Sequence, residues 1–133
     1  MNIVETGMVL AKIQAFDNRN VDDATVVAWH EVLERYTLHD ALAAVTDYFR
    51  TNHAWIMPAH IIERVRATEE ARVYEFKNGY HISRADEERG DWAAQMKELG
   101  RAVRTGALTP AAYDAYQNSD KPLEAFINRK AIQ

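Results

Sequence analysis

The chain has no cysteine, only three prolines and five glycines, and no long apolar run. Without cysteine, disulfides and thiolate metal sites are excluded, and a reducing compartment is the natural setting. No apolar stretch approaches the roughly 18 residues that a membrane span requires. Residues Met1 to Lys12 show neither the basic start nor the small-residue cleavage site of a secretory leader, so the expected location is cytoplasmic. Phosphate-binding signatures are missing as well. There is no GxxxxGK[ST] and no GxGxxG, and Gly7, Gly79, Gly90, Gly100 and Gly106 are scattered, which argues against a nucleotide-driven motor or a dinucleotide-dependent enzyme. No cofactor is implied.

Positive charge is scarce in the first half. Residues 1–57 carry 8 acidic and 4 basic side chains, whereas residues 58–133 carry 12 of each, which together give the chain its net charge of −4. Phosphate neutralisation needs clustered lysine and arginine, so nucleic acid is a poor main ligand for the first half. Apolar residues make up 47% and charged residues 27% of the chain, enough for a packed core.

These apolar residues recur at intervals of three and four, with no run of period two, so the expected fold class is all-α. The pattern predicts a helix over Glu5 to Phe16 with Val9, Ile13 and Phe16 inward. A second, capped by Asp22 or Asp23, carries Val26, Trp29, Leu33 and Tyr36. Thr37 and Asp40 resemble a capping box opening a third helix at Leu38, whose inward face is Leu38, Leu42, Val45 and Phe49 beside Ala41 and Ala44. After a connector containing Trp55, Pro58 suits the first turn of a fourth, closed inward by Ile61, Ile62 and Val65. These elements predict a compact N-terminal core of about four helices over residues 3–67.

Residues 68–133 form a C-terminal helical region and a candidate partner-binding arm. Ser83 and Asp86 repeat the capping-box pattern before a charged helix expected to run to about Thr105 and to stop at Gly106. Gly90 and Gly100 weaken it by about 1 kcal/mol each relative to alanine. Thr109-Pro110 opens a short helix with Tyr113 and Tyr116, and a last one carries Leu123, Phe126 and Ile127.

Catalytic apparatus is hard to find. His30-Glu31-Val32-Leu33-Glu34 begins like a zincin helix, but Glu34 stands where the second histidine belongs, and a metal-dependent hydrolase has only that pair to rest on. His53 and His60 bracket Trp55 and Pro58 and read as loop and first-turn residues. Ser83 and Ser119 lie beside helix starts, which makes them caps before nucleophiles. A helix-turn-helix DNA-binding regulator is the alternative, because helices two and three meet at a short turn. The would-be reading helix, however, carries Asp40 and Asp47 against Arg50 alone. No residue is assigned a catalytic or metal-binding role.

What remains is apolar anchors. Trp92, Met96, Leu99 and Val103 follow the i, i+4, i+7, i+11 spacing of a helix seated in a partner's groove, a spacing that self-packing also produces. Phe126 and Ile127 pose the same choice. These six are the candidate partner-binding residues.

The segment ATVVAWHEVLERYTLHDALAAVTDYFRTNHAWIMPAHI, residues 24–61, resembles the helical domain of small phage replication proteins that load and inhibit the hexameric replicative helicase. The likeness lies in Trp29, the short turn, the DALAAVTDYF helix and the proline-started MPAHII helix. It implies an N-terminal helical domain and a C-terminal region, here from about residue 84, that contacts the helicase and is often flexible until bound. It also implies a non-enzymatic adaptor without an ATPase site, which holds the helicase inactive, delivers it to an origin-binding initiator protein and makes weak or no direct DNA contact.

Overall fold

The computed structural model describes residues 1–131, and among them every regular element is helical. Seven α-helices run in order as α1 (Ile3–Asp17), α2 (Asp23–Leu33), α3 (Leu38–Thr51), α4 (Pro58–Tyr74), α5 (Arg84–Glu88), α6 (Trp92–Thr105) and α7 (Pro110–Gln117). Two short 3₁₀ turns follow, Leu123–Phe126 and Arg129–Ala131. The chain divides into two compact units, one covering Met1–Ala67 and the other beginning at Thr68.

Polar caps set the helix starts. Asp22, Thr37, Ser83 and Thr109 each accept a hydrogen bond from the backbone N–H three residues on, satisfying a donor that the first turn leaves without a partner. Helix α1 starts two residues earlier than expected, because Asn2 and Glu5 form a full reciprocal capping box. At α4 the cap is unusual. The Nδ1 of His60 accepts from the N–H of Met57 at 2.9 Å, and its ring lies 4.9 Å from that of Tyr48.

The first unit buries Val9, Leu10 and Ile13 of α1 with Trp29, Leu33, Tyr36, Ala41, Ala44, Val45, Tyr48, Ile56, Ile61 and Val65. Two expectations are corrected here. The inward face of α3 is Ala41, Ala44, Val45 and Tyr48, while Leu38, Leu42 and Phe49 are only partly covered. Tyr48 can be buried because its hydroxyl donates to the carbonyl of Ala54 at 2.8 Å. Phe16 is 54% exposed and stacks on Phe49, with ring centroids 4.6 Å apart, from outside the core.

The second unit has its own core of Phe76, Ile82, Leu99, Ala102, Val103, Ala107, Leu108, Tyr116 and Leu123. The long charged helix expected before Gly106 is two helices. Gly90 (φ 84°) and Asp91 (φ 54°) are both left-handed and break it between Glu88 and Trp92. At its other end α6 stops at Gly106, whose φ of 78° suits glycine. Arg72 passes so close that a Cβ there would meet its Nε at 3.1 Å. The same guanidinium donates to the carbonyl of Arg104 at 2.8 Å, placing positive charge at the negative end of the helix dipole.

Leu99 is fully buried in this core. Leu99→Ala is therefore expected to lower unfolding free energy by about 2–5 kcal/mol, measured by urea denaturation. A loss below about 1 kcal/mol, typical of surface sites, would contradict the packing.

Candidate interaction surface

The six anchors singled out above separate into distinct environments. Leu99 and Val103 are fully buried in the second unit's own core, and Met96, Phe126 and Ile127 are partly buried against it. The rings of Tyr116 and Phe126 lie 5.8 Å apart. The α6 stripe is thus mostly the chain's own packing face, and Leu99 and Val103 cannot serve as groove anchors in this fold. Both readings demand the same helical period, and Phe76, Ile82, Leu108 and Leu123 supply the covering surface from nearby. Trp92 alone stands out, with 61% of its surface exposed.

Its exposure follows from the break before it. Trp92 opens α6 immediately after the left-handed pair Gly90 and Asp91, so it projects before the helix has turned into the core. The side-chain amide of Gln95 fastens this turn by donating to the carbonyl of Gly90 at 2.5 Å. Glu87, Glu88 and Asp91 are exposed on the preceding segment, and Ala93, Lys97 and Arg101 on the following turns. Trp92 thus presents a large aromatic surface among exposed charged residues.

A buried polar network holds this region in place. Asp86 lies in the short helix α5, and its carboxylate accepts from Tyr116 Oη at 2.6 Å, from Arg89 at 2.6 Å and from the N–H of Leu123 at 3.1 Å. The Tyr116 hydroxyl in turn accepts from the N–H of Ser83 at 2.8 Å, while Ser83 Oγ accepts from the N–H of Asp86 at 3.2 Å. Only the serine half of the expected capping box is present, because the tyrosine takes the place of the carboxylate at the Ser83 N–H. Burial alone would raise the Asp86 pKa. The bonds from Tyr116, Arg89 and Leu123 outweigh it and hold the carboxyl below its ordinary 3.8. Burial, and then the hydrogen bond to Asp86, push the Tyr116 hydroxyl above its ordinary value.

The residues considered for chemistry take other roles. Among the described residues, no group of three or more histidines and carboxylates is placed to hold a metal ion. His60 caps α4, and Ser119 Oγ accepts from the N–H of Lys121 at 3.0 Å. Helix α3 exposes His39, Ala43, Asp47 and Arg50, and Asp47 pairs with Arg64 at 2.9 Å, which does not make a phosphate-binding face.

A second aromatic surface joins residues that are far apart in sequence. Arg19 is buried, paired with Asp17 at 2.6 Å, and its guanidinium lies 3.9 Å from the ring centre of Trp55 and 5.7 Å from that of Trp29. This cation–π contact pins the connector, leaving Trp55 56% exposed. The isolated positions of Arg19 and Trp55 carry no periodic signal.

Compared with known protein families, curated proteins and solved structures, the chain gives no significant match.

The Asp86 network has a signed pH dependence. With its folded pKa depressed, the carboxylate contributes stability that is fully present above 3.8 and is lost as pH falls through the lower folded value. Asp86→Asn is expected to be less stable than the parent at neutral pH, with the gap narrowing progressively below pH 3.8. Parallel thermal melts over that range check it, and a gap that widens on acidification would refute the assignment.

Proposed function

We propose that this chain is a non-enzymatic adaptor that binds a hexameric replicative helicase and loads or regulates it during phage or prophage DNA replication. In this reading the four helices of the first unit form the N-terminal bundle shared with the helicase loaders, and the second unit supplies the helicase contact. The resemblance of residues 24–61 to those loaders supports this choice of partner. The observation that carries the binding role is Trp92, a large aromatic held outside a folded core at the start of α6. Tryptophan is among the residues most enriched at interface hot spots. Phe126 and Ile127, half covered beside the second core, lie at the edge of the contact, while Leu99 and Val103 support it from within. An origin-binding initiator protein is the second expected partner, and direct DNA contact is weak or absent.

The test is binding of the full chain to the cognate hexameric helicase by calorimetry. Trp92→Ala is expected to weaken binding by about 2 kcal/mol or more, roughly thirtyfold, with an unchanged melting temperature. No detectable binding of the parent chain at about 10 μM would exclude a specific complex of ordinary strength. Binding that Trp92→Ala leaves intact would move the contact elsewhere.

A further inference from the structure

Helix α1 is apolar on more than one side. Its inward side chains, Thr6, Val9, Leu10 and Ile13, are buried in the first core, and α2 and α3 pack against it. Its opposite face carries Val4, Met8, Ala11 and Ala15, all exposed, with Val4 70% and Met8 50% accessible. Their spacing of four, three and four residues is that of a coiled-coil seam. A helix with this composition on both faces is normally covered on both.

We propose that this second face of α1 pairs with the same face of another copy of the chain, the two helices antiparallel about a two-fold axis. The argument is the order of large and small side chains. Turning one helix end for end about the point between Val9 and Leu10 brings Val4 opposite the partner copy's Ala15 and Met8 opposite the partner copy's Ala11. Each of the four layers then holds one large and one small residue, so the helices approach evenly along their length. A parallel pair would place Val4 on Val4 and Met8 on Met8 at one end, and alanine on alanine at the other, and would splay. No unrelated partner is needed to complete the surface, because the face is its own complement.

Charge agrees with this occupant. The only charged residues of α1 before Asp17 are Glu5 and Lys12, and both are engaged within their own unit. Glu5 accepts from the N–H of Asn2 at 2.9 Å, and the Lys12 ammonium donates to the carbonyl of Leu42 at 3.0 Å and to Thr46 Oγ1 at 2.5 Å. The seam buries no charge, and antiparallel helices bring opposite dipole ends together. A Cβ built on Gly7, at the margin of the seam, would meet nothing within 4 Å, so a neighbour has open space there. A face of 15 residues is about 22 Å long, shorter than a standard interface, so the dimer is expected to be weak. This pairing does not depend on the helicase reading.

The experiment is equilibrium sedimentation of the full chain, followed by oxidative cross-linking of cysteine variants, with circular dichroism confirming that each variant is folded. The parent is expected to reach twice the monomer mass with rising concentration. Met8→Glu sets a charge in the seam and is expected to raise the dimer Kd at least about tenfold. For orientation, the absence of native cysteine gives a clean background. In the antiparallel pair position 4 of one copy is about 16 Å along the axis from position 4 of the other, too far for a disulfide. The Val4→Cys chain and the Ala15→Cys chain should therefore each stay unlinked alone and cross-link when mixed. A parent that remains monomeric to about 1 mM, a dimer indifferent to Met8→Glu, or self-linking of either cysteine chain alone would each overturn the proposal.

Discussion

A carboxylate removed from water stays charged only if donors surround it, and Asp86 meets that demand in a way that organises the second unit. Helix α5 has five residues, too few to be stable by itself. Its carboxylate binds Tyr116 from α7 and the backbone of Leu123 from the first 3₁₀ turn, so segments 30 and 37 residues away in sequence are tied to one oxygen, Oδ2. Arg89 closes the arrangement by binding Asp86 and donating to the Asp120 carbonyl. With α7 and the 3₁₀ turn so placed, Tyr116 and Leu123 fill the core and Phe126 and Ile127 settle against it. The left-handed pair Gly90 and Asp91 breaks the helix between α5 and α6, immediately before the exposed Trp92.

This has a consequence for recognition. The resemblance to helicase loaders implies a C-terminal region that is often flexible until bound, whereas here α5, α6 and α7 pack around a core of nine buried residues. A folded surface loses less conformational entropy on association than a disordered arm, in which each residue costs about 1–2 kcal/mol to fix. An interface built on one pre-positioned tryptophan can therefore be small. It also separates affinity from fold stability, because Trp92 contributes little to the core that holds it.

Much of the helix plan is legible in the sequence, because it is written in short-range chemistry. Asp22, Thr37, Ser83 and the Thr109-Pro110 pair mark starts that need only the residue three positions on. What was not legible depends on distant partners. Tyr48 belongs to the α3 core face because the carbonyl of Ala54 receives its hydroxyl, and hydropathy alone favours Leu42 and Phe49. Ile56, Ile82 and Leu108 are fully buried from connectors, where no period announces them. The Gly90–Asp91 break was masked because helical spacing continues across it, and a glycine inside a helical pattern is an ambiguous sign. Of the candidate site, the position of Trp92 was readable and its isolation was not. Whether Leu99 and Val103 face inward or outward turns on Phe76 and Ile82, outside their own helix.

Helix α1 illustrates the same ambiguity in reverse. Val9 and Ile13 form one apolar face, and Val4, Met8, Ala11 and Ala15 form a second set with the same helical period. Val4 and Met8 remain largely accessible, and their burial contributes at most on the order of 1–2 kcal/mol per side chain, against an association cost of about 4 kcal/mol or more. Such a seam holds two free copies together only weakly. Its effect grows when copies are gathered on a common scaffold, since tethering raises the effective concentration to the order of millimolar. Weak pairing of this kind keeps association reversible, so that monomer and dimer exchange as the local concentration changes.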